Sequence, residues 1–228
     1  NANNNIVART NWMNTDTRCP EIERQFIVAG CGQRVAAHVA SNSEAIDGHD
    51  LDDIEFPVDA NPARRKEFIA GRVLAQRCLA SLGLPPNSIG CGVDREPLWP
   101  DGVVGSIAHT KEFAAAVVWV PSIAQQTVGI GIDAEHCGRL DPAIWPTVFT
   151  AAEIVRLEQE SLLSRDRMAT CMFSAKEAVY KAQFPLTRRF IDFDEVEIWM
   201  QSPSEEDGSK GWLQLDHGIR ELAPFHFS

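Results

Sequence analysis

The chain of 228 residues is 44% hydrophobic and 23% charged, values typical of a globular protein with a substantial core. Its net charge of -11 argues against nucleic acid or an anionic membrane as the main partner. No membrane span, signal peptide or cysteine spacing typical of a zinc site is found, so we expect a cytoplasmic protein with free thiols.

The first 60 residues give weak structural signals. Residues 1–20 are polar, and we expect them to be loose. Small and β-branched residues predict a strand within 25–39. The acidic stretch 41–59 is typical of a solvated loop or a short helix.

A long helix is predicted to begin at Asn61-Pro62, because Asn caps helices and Pro favours their first position. Its apolar positions follow the helical period, and Gly83 with the two prolines after it predicts the end. The basic residues assigned to its polar face are Arg64, Arg65, Lys66, Arg72 and Arg77. Two interpretations of this face stay open: an anion-binding surface, or surface arginines whose stems cover apolar neighbours.

Strands are predicted next at 104–108, 113–120 and 128–135. The first runs into His109, which is either a hydrogen-bond donor to phosphate or an ordinary packed or surface side chain. The last carries Asp133 and Glu135, and alternation along a strand would place both carboxylates on one face. Such a pair could bind one cation, and oxygen ligands favour Mg²⁺, Mn²⁺ or Ca²⁺ over zinc.

The rest of the chain alternates again between helices and strands. Thr150 and Glu153 predict a capping box at the start of one helix. The predicted helices are 142–149, 151–163 and 167–183, and the predicted strands are 190–200 and 212–215, with a hairpin loop at 203–210. Strands and helices in both parts predict an α+β fold of two similar halves, residues 1–124 and 125–228.

The helix at 167–183 has two faces, and the polar one carries Glu177 and Lys181. By itself this pair is an ordinary i,i+4 ion pair on a solvated surface. Together with the upstream carboxylates, Glu177 could instead be a third metal ligand, with Lys176 and Lys181 holding phosphate oxygens. Because Mg²⁺ usually binds a few carboxylates and substrate phosphates, this combination indicates a site for a pyrophosphate-containing substrate.

Five motifs, in the same order, resemble the Sfp/enterobactin-synthetase type of 4′-phosphopantetheinyl transferase. They are Arg64-Arg65-Lys66-Glu67-Phe68 with Arg72, Pro97 to Gly102, Gly105 to His109, Gly131-Ile132-Asp133-Ala134-Glu135, and Phe173-Ser174-Ala175-Lys176-Glu177 through Lys181. The similarity covers about residues 60 to 200.

The resemblance implies two similar α+β halves related by a pseudo-twofold axis, with the active site in the cleft between them. It implies coenzyme A as the donor, Mg²⁺ or Mn²⁺ as the metal, and a monomer. The 4′-phosphopantetheine arm would pass to a serine of an apo acyl, peptidyl or aryl carrier protein, releasing adenosine 3′,5′-bisphosphate.

The resemblance also implies roles for single residues. The implied metal ligands are Asp133, Glu135 and Glu177; the implied coenzyme-binding residues are Arg64, Arg72, His109, Lys176 and Lys181; the implied catalytic residues are Glu177 and Lys181. The sequence leaves open whether Glu177, a water or a metal-bound hydroxide takes the proton of the serine. It also leaves two docking surfaces for the carrier: residues 184–190, with Arg188 and Arg189, and the helices between 142 and 163.

Three departures from the family pattern stand out. Ala108 precedes the histidine where a hydroxyl residue is usual, Asp94 stands where a lysine is frequent, and we expect the last apolar strand to be missing. Two other functions remain open: a Mg²⁺-dependent hydrolase acting on a diphosphate, and a non-catalytic module that binds coenzyme A or a carrier protein.

Overall fold

The computed structural model describes seven stretches of the chain, which combine helices with small sheets. These stretches are residues 5–8, 34–48, 61–121, 129–136, 140–200, 213–217 and 226–227. The mixture of helices and sheets confirms the α+β class at this coarse level. No helix in these stretches is both long and apolar enough to cross a membrane.

An antiparallel sheet and one long helix build the first part of the structure. Its strands are β2 (Arg34–Ser41), β5 (Val104–His109) and β6 (Phe113–Val120), and β6 lies in the middle. Helix α2 (Pro62–Ser81) packs on this sheet and begins as predicted, because the Asn61 side chain accepts the Arg64 N–H at 2.9 Å. Buried side chains between helix and sheet include Ala70, Leu74, Cys78, Leu79, Ala116 and Val118.

Short elements complete this part. Helix α1 (Asn42–Ile46) confirms a short helix in the acidic stretch, and Ser41 and Glu44 form its capping box. Strands β3 (Gly90–Cys91) and β4 (Pro97–Leu98) form a two-stranded antiparallel pair.

A parallel sheet runs in the order β10-β1-β7. Its strands are β1 (Asn5–Ala8), β7 (Gly129–Gly131) and β10 (His226–Phe227). The expectation that residues 1–20 are loose is therefore wrong for 5–8. The predicted strand 128–135 is also too long, because β7 ends with Gly131, at the level where its partner β1 ends with Ala8.

The C-terminal helices differ from the predictions mainly at their ends. A 3₁₀ turn (Pro142–Ile144) and helix α3 (Trp145–Val148) replace the single helix predicted at 142–149. Helix α4 (Ala151–Glu158) has the predicted capping box but is shorter. Helix α5 (Leu162–Thr187) is longer at both ends, with Pro185 in its last turn and Arg188 in the left-handed conformation after it.

Only the second half of the strand predicted at 190–200 forms a strand in the structure. Residues Phe193–Glu195 form a 3₁₀ turn, and β8 (Val196–Met200) then pairs antiparallel with β9 (Leu213–His217). The predicted hairpin loop at 203–210 lies outside the described residues. Buried residues of the core between α3, α4, α5 and β8 include Trp145, Phe149, Leu157, Met172, Val179 and Ile198.

Helix α5 packs directly against strand β7. A Cβ atom on Gly131 would lie under 3.0 Å from the carbonyl oxygen of Ala178, and one on Gly129 equally close to that of Ala182. Only glycine therefore fits at these two positions. Beyond the strand, the Ile132 N–H donates to Ser106 Oγ of β5 at 3.1 Å, so the segment 132–136 joins the first sheet to α5.

Candidate active site

Asp133 is the centre of a charged cluster just beyond the end of β7. Its Oδ1 accepts a hydrogen bond from Lys181 Nζ at 2.6 Å, and its side chain is only 8% exposed. Its Oδ2 is buried and has no hydrogen-bond partner among the described residues. A buried carboxylate oxygen without a partner is costly, so this position suits a cation or a donor group supplied from outside the chain.

Glu135 and Glu177 share the electrostatic field of Asp133. Burial raises the pKa of Glu135, and the charges of Asp133 and Glu177 raise it further. Burial also raises the pKa of Glu177, followed by the charge of Asp133, while Lys181 acts in the opposite direction. The three predicted carboxylates thus form one repulsive cluster that a cation would relieve.

The three carboxylates are not arranged as a complete metal-binding site. Among the residues described, no group of three or more His, Cys, Asp and Glu side chains lies close enough together to hold a metal ion. The predicted strand alternation of Asp133 and Glu135 also does not apply, since both follow the end of β7. The three residues supply the right donor type for Mg²⁺ or Mn²⁺, but the structure does not place their oxygens as one ligand set.

Lys181 lies where the carboxylate cluster meets His109. It follows Glu177 by one helical turn and binds Asp133, and its positive charge helps to lower the pKa of His109. Residues from β5, α5 and the segment after β7 therefore meet in one place.

His109 stands at the end of β5 beside Arg64 and Glu67 of α2. Arg64 Nη1 lies 3.4 Å from His109 Nδ1 and donates to Glu67 Oε2 at 3.1 Å, while Glu67 Oε2 lies 3.6 Å from Nδ1. Burial lowers the pKa of His109, and the charge of Arg64 lowers it further, so the imidazole is neutral at pH 7. Glu67 received no role from the sequence, although its i,i+3 spacing to Arg64 signals their ion pair.

Arg72 differs from its predicted place on the polar face of α2. The residue is 4% exposed, Nε donates to the carbonyl of Ile89 at 3.0 Å, and the guanidinium lies 4.3 Å from the ring centre of Phe68. Burial lowers the pKa of Arg72 to about 10, so it stays charged at neutral pH. Backbone carbonyls and an aromatic face satisfy this arginine inside the protein, which is why burial is tolerated.

Lys176 also differs from its predicted role as a phosphate ligand. Its side chain is 1% exposed, and Nζ donates to Glu153 Oε2 at 2.7 Å and to the carbonyl of Phe193 at 2.6 Å. The sequence predicted Glu153 as a capping residue but not as the partner of this lysine. Nothing in the primary sequence links the two, because they are 23 residues apart.

A cavity of about 180 Å³ opens beside Glu177. Its lining combines the charged residues Lys176, Glu177 and Asp192 with Tyr180, Ile191, Phe193 and Val196. The candidate proton acceptor Glu177 therefore borders both the carboxylate cluster and this cavity.

Known protein families match most of this chain. A family model described as the 4′-phosphopantetheinyl transferase N-terminal domain matches residues 56–119. A second model, described as the 4′-phosphopantetheinyl transferase superfamily, matches residues 129–216.

Curated relatives carry the same description. The 4′-phosphopantetheinyl transferase Npt of Nocardia iowensis is 39% identical over 170 residues, covering 68% of this chain and 72% of the relative. The 4′-phosphopantetheinyl transferase Svp of Streptomyces mobaraensis is 41% identical over 145 residues, 61% of this chain and 56% of the relative. Enterobactin synthase component D of Salmonella typhimurium is 37% identical over 123 residues, 54% of this chain and 50% of the relative.

These matches span both parts of the chain and include the motifs at Arg64, His109, Asp133 and Glu177. The chain belongs to the 4′-phosphopantetheinyl transferase superfamily.

Proposed function

We propose that this protein transfers the 4′-phosphopantetheine arm of coenzyme A to a serine of an apo acyl, peptidyl or aryl carrier protein. Family membership supports the reaction class. The observation that carries the proposal at this site is the cluster of Asp133, Glu177 and Lys181, in which one buried carboxylate oxygen has no partner. The second product would be adenosine 3′,5′-bisphosphate.

We place the active site in a cleft between the halves 1–124 and 125–228. Arg64 and His109 come from the first half, and Asp133 and Lys181 from the second. The Ile132 N–H, next to Asp133, donates to Ser106 Oγ of the strand that ends in His109, which supports a shared site. The pseudo-twofold relation of the halves, a monomeric state and a cytoplasmic location stay predictions.

Mg²⁺ is the metal we propose, with Mn²⁺ as a substitute. The fit rests on the unpartnered Asp133 Oδ2, the oxygen-only donor set and the raised pKa values of Glu135 and Glu177. Asp133, Glu135 and Glu177 would hold the ion, and when bound it would neutralise charge on the pyrophosphate of the coenzyme.

The side chains of the protein would bind the donor and take the proton. We propose that Arg64 and His109, with Glu67 between them, bind the 3′-phosphate or pyrophosphate end of coenzyme A. Lys181 would offset charge on phosphate oxygens. For Arg72 and Lys176 we propose no contact with the coenzyme, because both are buried and bound to groups within the protein.

In the reaction, the serine Oγ forms a bond to the phosphorus that carries the pantetheine arm. The bond from that phosphorus to the bridging oxygen breaks, and the bisphosphate leaves with the electron pair. Glu177 would accept the serine proton, directly or through a water.

One incubation tests the function. The protein, an apo carrier protein, coenzyme A and Mg²⁺ are combined, and the carrier is followed by intact mass. We expect a gain of one phosphopantetheine arm, and a rate about 10²- to 10⁴-fold lower with Glu177→Gln. Breakdown of coenzyme A without a carrier would favour the diphosphate hydrolase. If the protein binds coenzyme A or a carrier tightly but several carriers gain no mass, the result would favour the non-catalytic module.

We propose that the carrier docks on an aromatic cluster near Glu177. The rings of Tyr180, Phe184 and Phe190 lie with centroids 5.0 to 6.0 Å apart, and Phe190 is 64% exposed. Arg188 lies over the ring of Phe184 at the edge of this aromatic cluster, and it forms an ion pair with Glu96. A large exposed ring beside a cavity is a common anchor in interfaces. The net charge of -11 also favours apolar recognition over a global charge match with an acidic carrier.

Replacing Phe190 with serine should therefore weaken carrier recognition and leave the donor site intact. We expect the KM for the carrier to rise about tenfold, as losing one interface anchor costs about 1.4 kcal/mol. The KM for coenzyme A should stay unchanged. Val155→Ser is the matched control, since Val155 is 53% exposed on α4. If that variant alone impairs carrier binding, the helices between 142 and 163 form the docking surface instead.

A further inference from the structure

A buried ion pair lies next to the candidate site, and its charged groups hydrogen-bond to other parts of the protein than the carboxylate cluster. Glu153 of α4 and Lys176 of α5 lie 2.7 Å apart, with side chains 0% and 1% exposed. Burying two charges costs desolvation, and apolar side chains of similar volume often stabilise a core equally well. Stability alone therefore does not explain a fully buried pair at this position.

Glu153 ties three segments together through its two oxygens. Oε2 accepts from the Thr150 N–H at 2.7 Å and from Lys176 Nζ, while Oε1 accepts from the Ile198 N–H at 2.7 Å. The carboxylate thus joins the start of α4, the middle of α5 and strand β8. All of these bonds are directional, unlike the apolar contacts around them.

Lys176 has two further contacts besides Glu153. Nζ donates to the carbonyl of Phe193 at 2.6 Å and lies 5.7 Å from the ring centre of Phe149. Although Lys176 lines part of the cavity beside Glu177, its ammonium group faces these internal partners. A phosphate would have to displace both Glu153 and Phe193 to reach it.

The buried ion pair of Lys176 affects the candidate active site because Lys176 lies on the same helix as Glu177 and Lys181. Glu177 follows directly, and neighbouring residues of a helix point about 100° apart. Fixing Lys176 on the side of α4 and β8 therefore fixes which direction Glu177 and Lys181 face. That direction is toward Asp133, which Lys181 contacts at 2.6 Å.

We propose that Glu153 and Lys176 are positioning residues: their buried ion pair sets the rotation of α5, so that Glu177 and Lys181 face Asp133. This inference rests on the proposed transfer reaction for its kinetic consequences. The pair itself touches neither the coenzyme nor the carrier.

The test compares Glu153→Gln, Lys176→Met and the double variant. Gln keeps the shape of Glu153 but only one of its two backbone hydrogen bonds, because the amide NH2 group cannot accept the second N–H. Met keeps the length and apolar stem of lysine, so the double variant removes both buried charges. We expect each single variant to lower kcat about 10- to 100-fold, since small misplacement of reacting groups has effects of this size. The double variant should be no slower than the slower single variant, because the two residues act as a unit.

Coenzyme A binding separates this role from that of a phosphate ligand. By isothermal titration calorimetry, the Kd of coenzyme A should stay within about twofold of the unmodified protein in all three variants. Arg156→Met is the matched control: Arg156 pairs with Glu197 at 2.9 Å and so joins α4 to β8. Its kcat should change little. A Kd that rises about tenfold or more in Lys176→Met, but not in Glu153→Gln, would overturn the proposal.

Hydrogen exchange gives a readout that needs no transfer activity. We expect both single variants to lose amide protection in residues 129–136, which pack on α5, relative to helix α2. Arg156→Met should not show this loss. If the unmodified protein transfers no arm, the proposed function fails, whereas unchanged protection at 129–136 overturns the positioning role by itself. Losses in kcat that multiply in the double variant would likewise overturn it.

Discussion

Replacing Asp133 with alanine is expected to abolish transfer, with kcat/KM falling by about 10³-fold or more. This loss corresponds to about 4 kcal/mol of transition-state stabilisation. The substitution removes a buried oxygen that has no partner in the described part of the chain, together with the anion that holds Lys181. The proposed metal would lose a ligand, and Lys181 would lose its orientation toward the phosphates. The measurement is the rate of mass gain on an apo carrier protein.

The same substitution should not destabilise the fold. Asp133 contributes a desolvated charge beside two other carboxylates, so its removal relieves repulsion that offsets the loss of its contact with Lys181. We expect the Tm without added metal to be equal or higher in the variant, and Mg²⁺ with coenzyme A to raise only the Tm of the unmodified protein. Asp101→Ala, at an exposed turn, is the control and should behave like the unmodified protein. Normal turnover in Asp133→Ala would remove this residue from the active site.

Replacing Gly131 with alanine is expected to damage both stability and activity. The new Cβ would lie under 3.0 Å from the carbonyl oxygen of Ala178, and a backbone atom cannot rotate away as a side chain can. Helix α5 must therefore move away from β7. We expect the free energy of unfolding to fall by about 3 kcal/mol. Since Glu177 and Lys181 flank Ala178 on that helix, kcat should fall about 10²-fold.

Chemical denaturation and steady-state kinetics check this expectation. Gly90→Ala is the matched control: it also lies in a strand, but its Cβ would meet only Leu98, at an ordinary distance of 3.5 Å. That variant should lose little of either property. A Gly131→Ala protein as stable and as active as the control would show that the contact between β7 and α5 is not tight.

The local elements of this fold were predictable because their signals lie within a few residues of each other. Asn61 and Pro62 define the start of α2, and Thr150 with Glu153 defines the start of α4. A continuous apolar run stopped by Pro121 predicted β6, and the short strand-like segment before His109 predicted β5. The end of β7 was not predictable in this way, because it depends on where β1 stops, more than a hundred residues earlier in the chain.

The motifs were enough to identify the family and the chemical groups of the site: carboxylates at 133, 135 and 177, a lysine at 181 and a histidine at 109. Which of these groups contact each other depends on the fold. In the structure, Asp133 binds Lys181 and Glu67 lies beside His109. Lys176 and Arg72 bind partners inside the protein. These contacts could not be predicted because a charged side chain is buried only where hydrogen-bond donors or acceptors are present, and those partners come from distant parts of the chain.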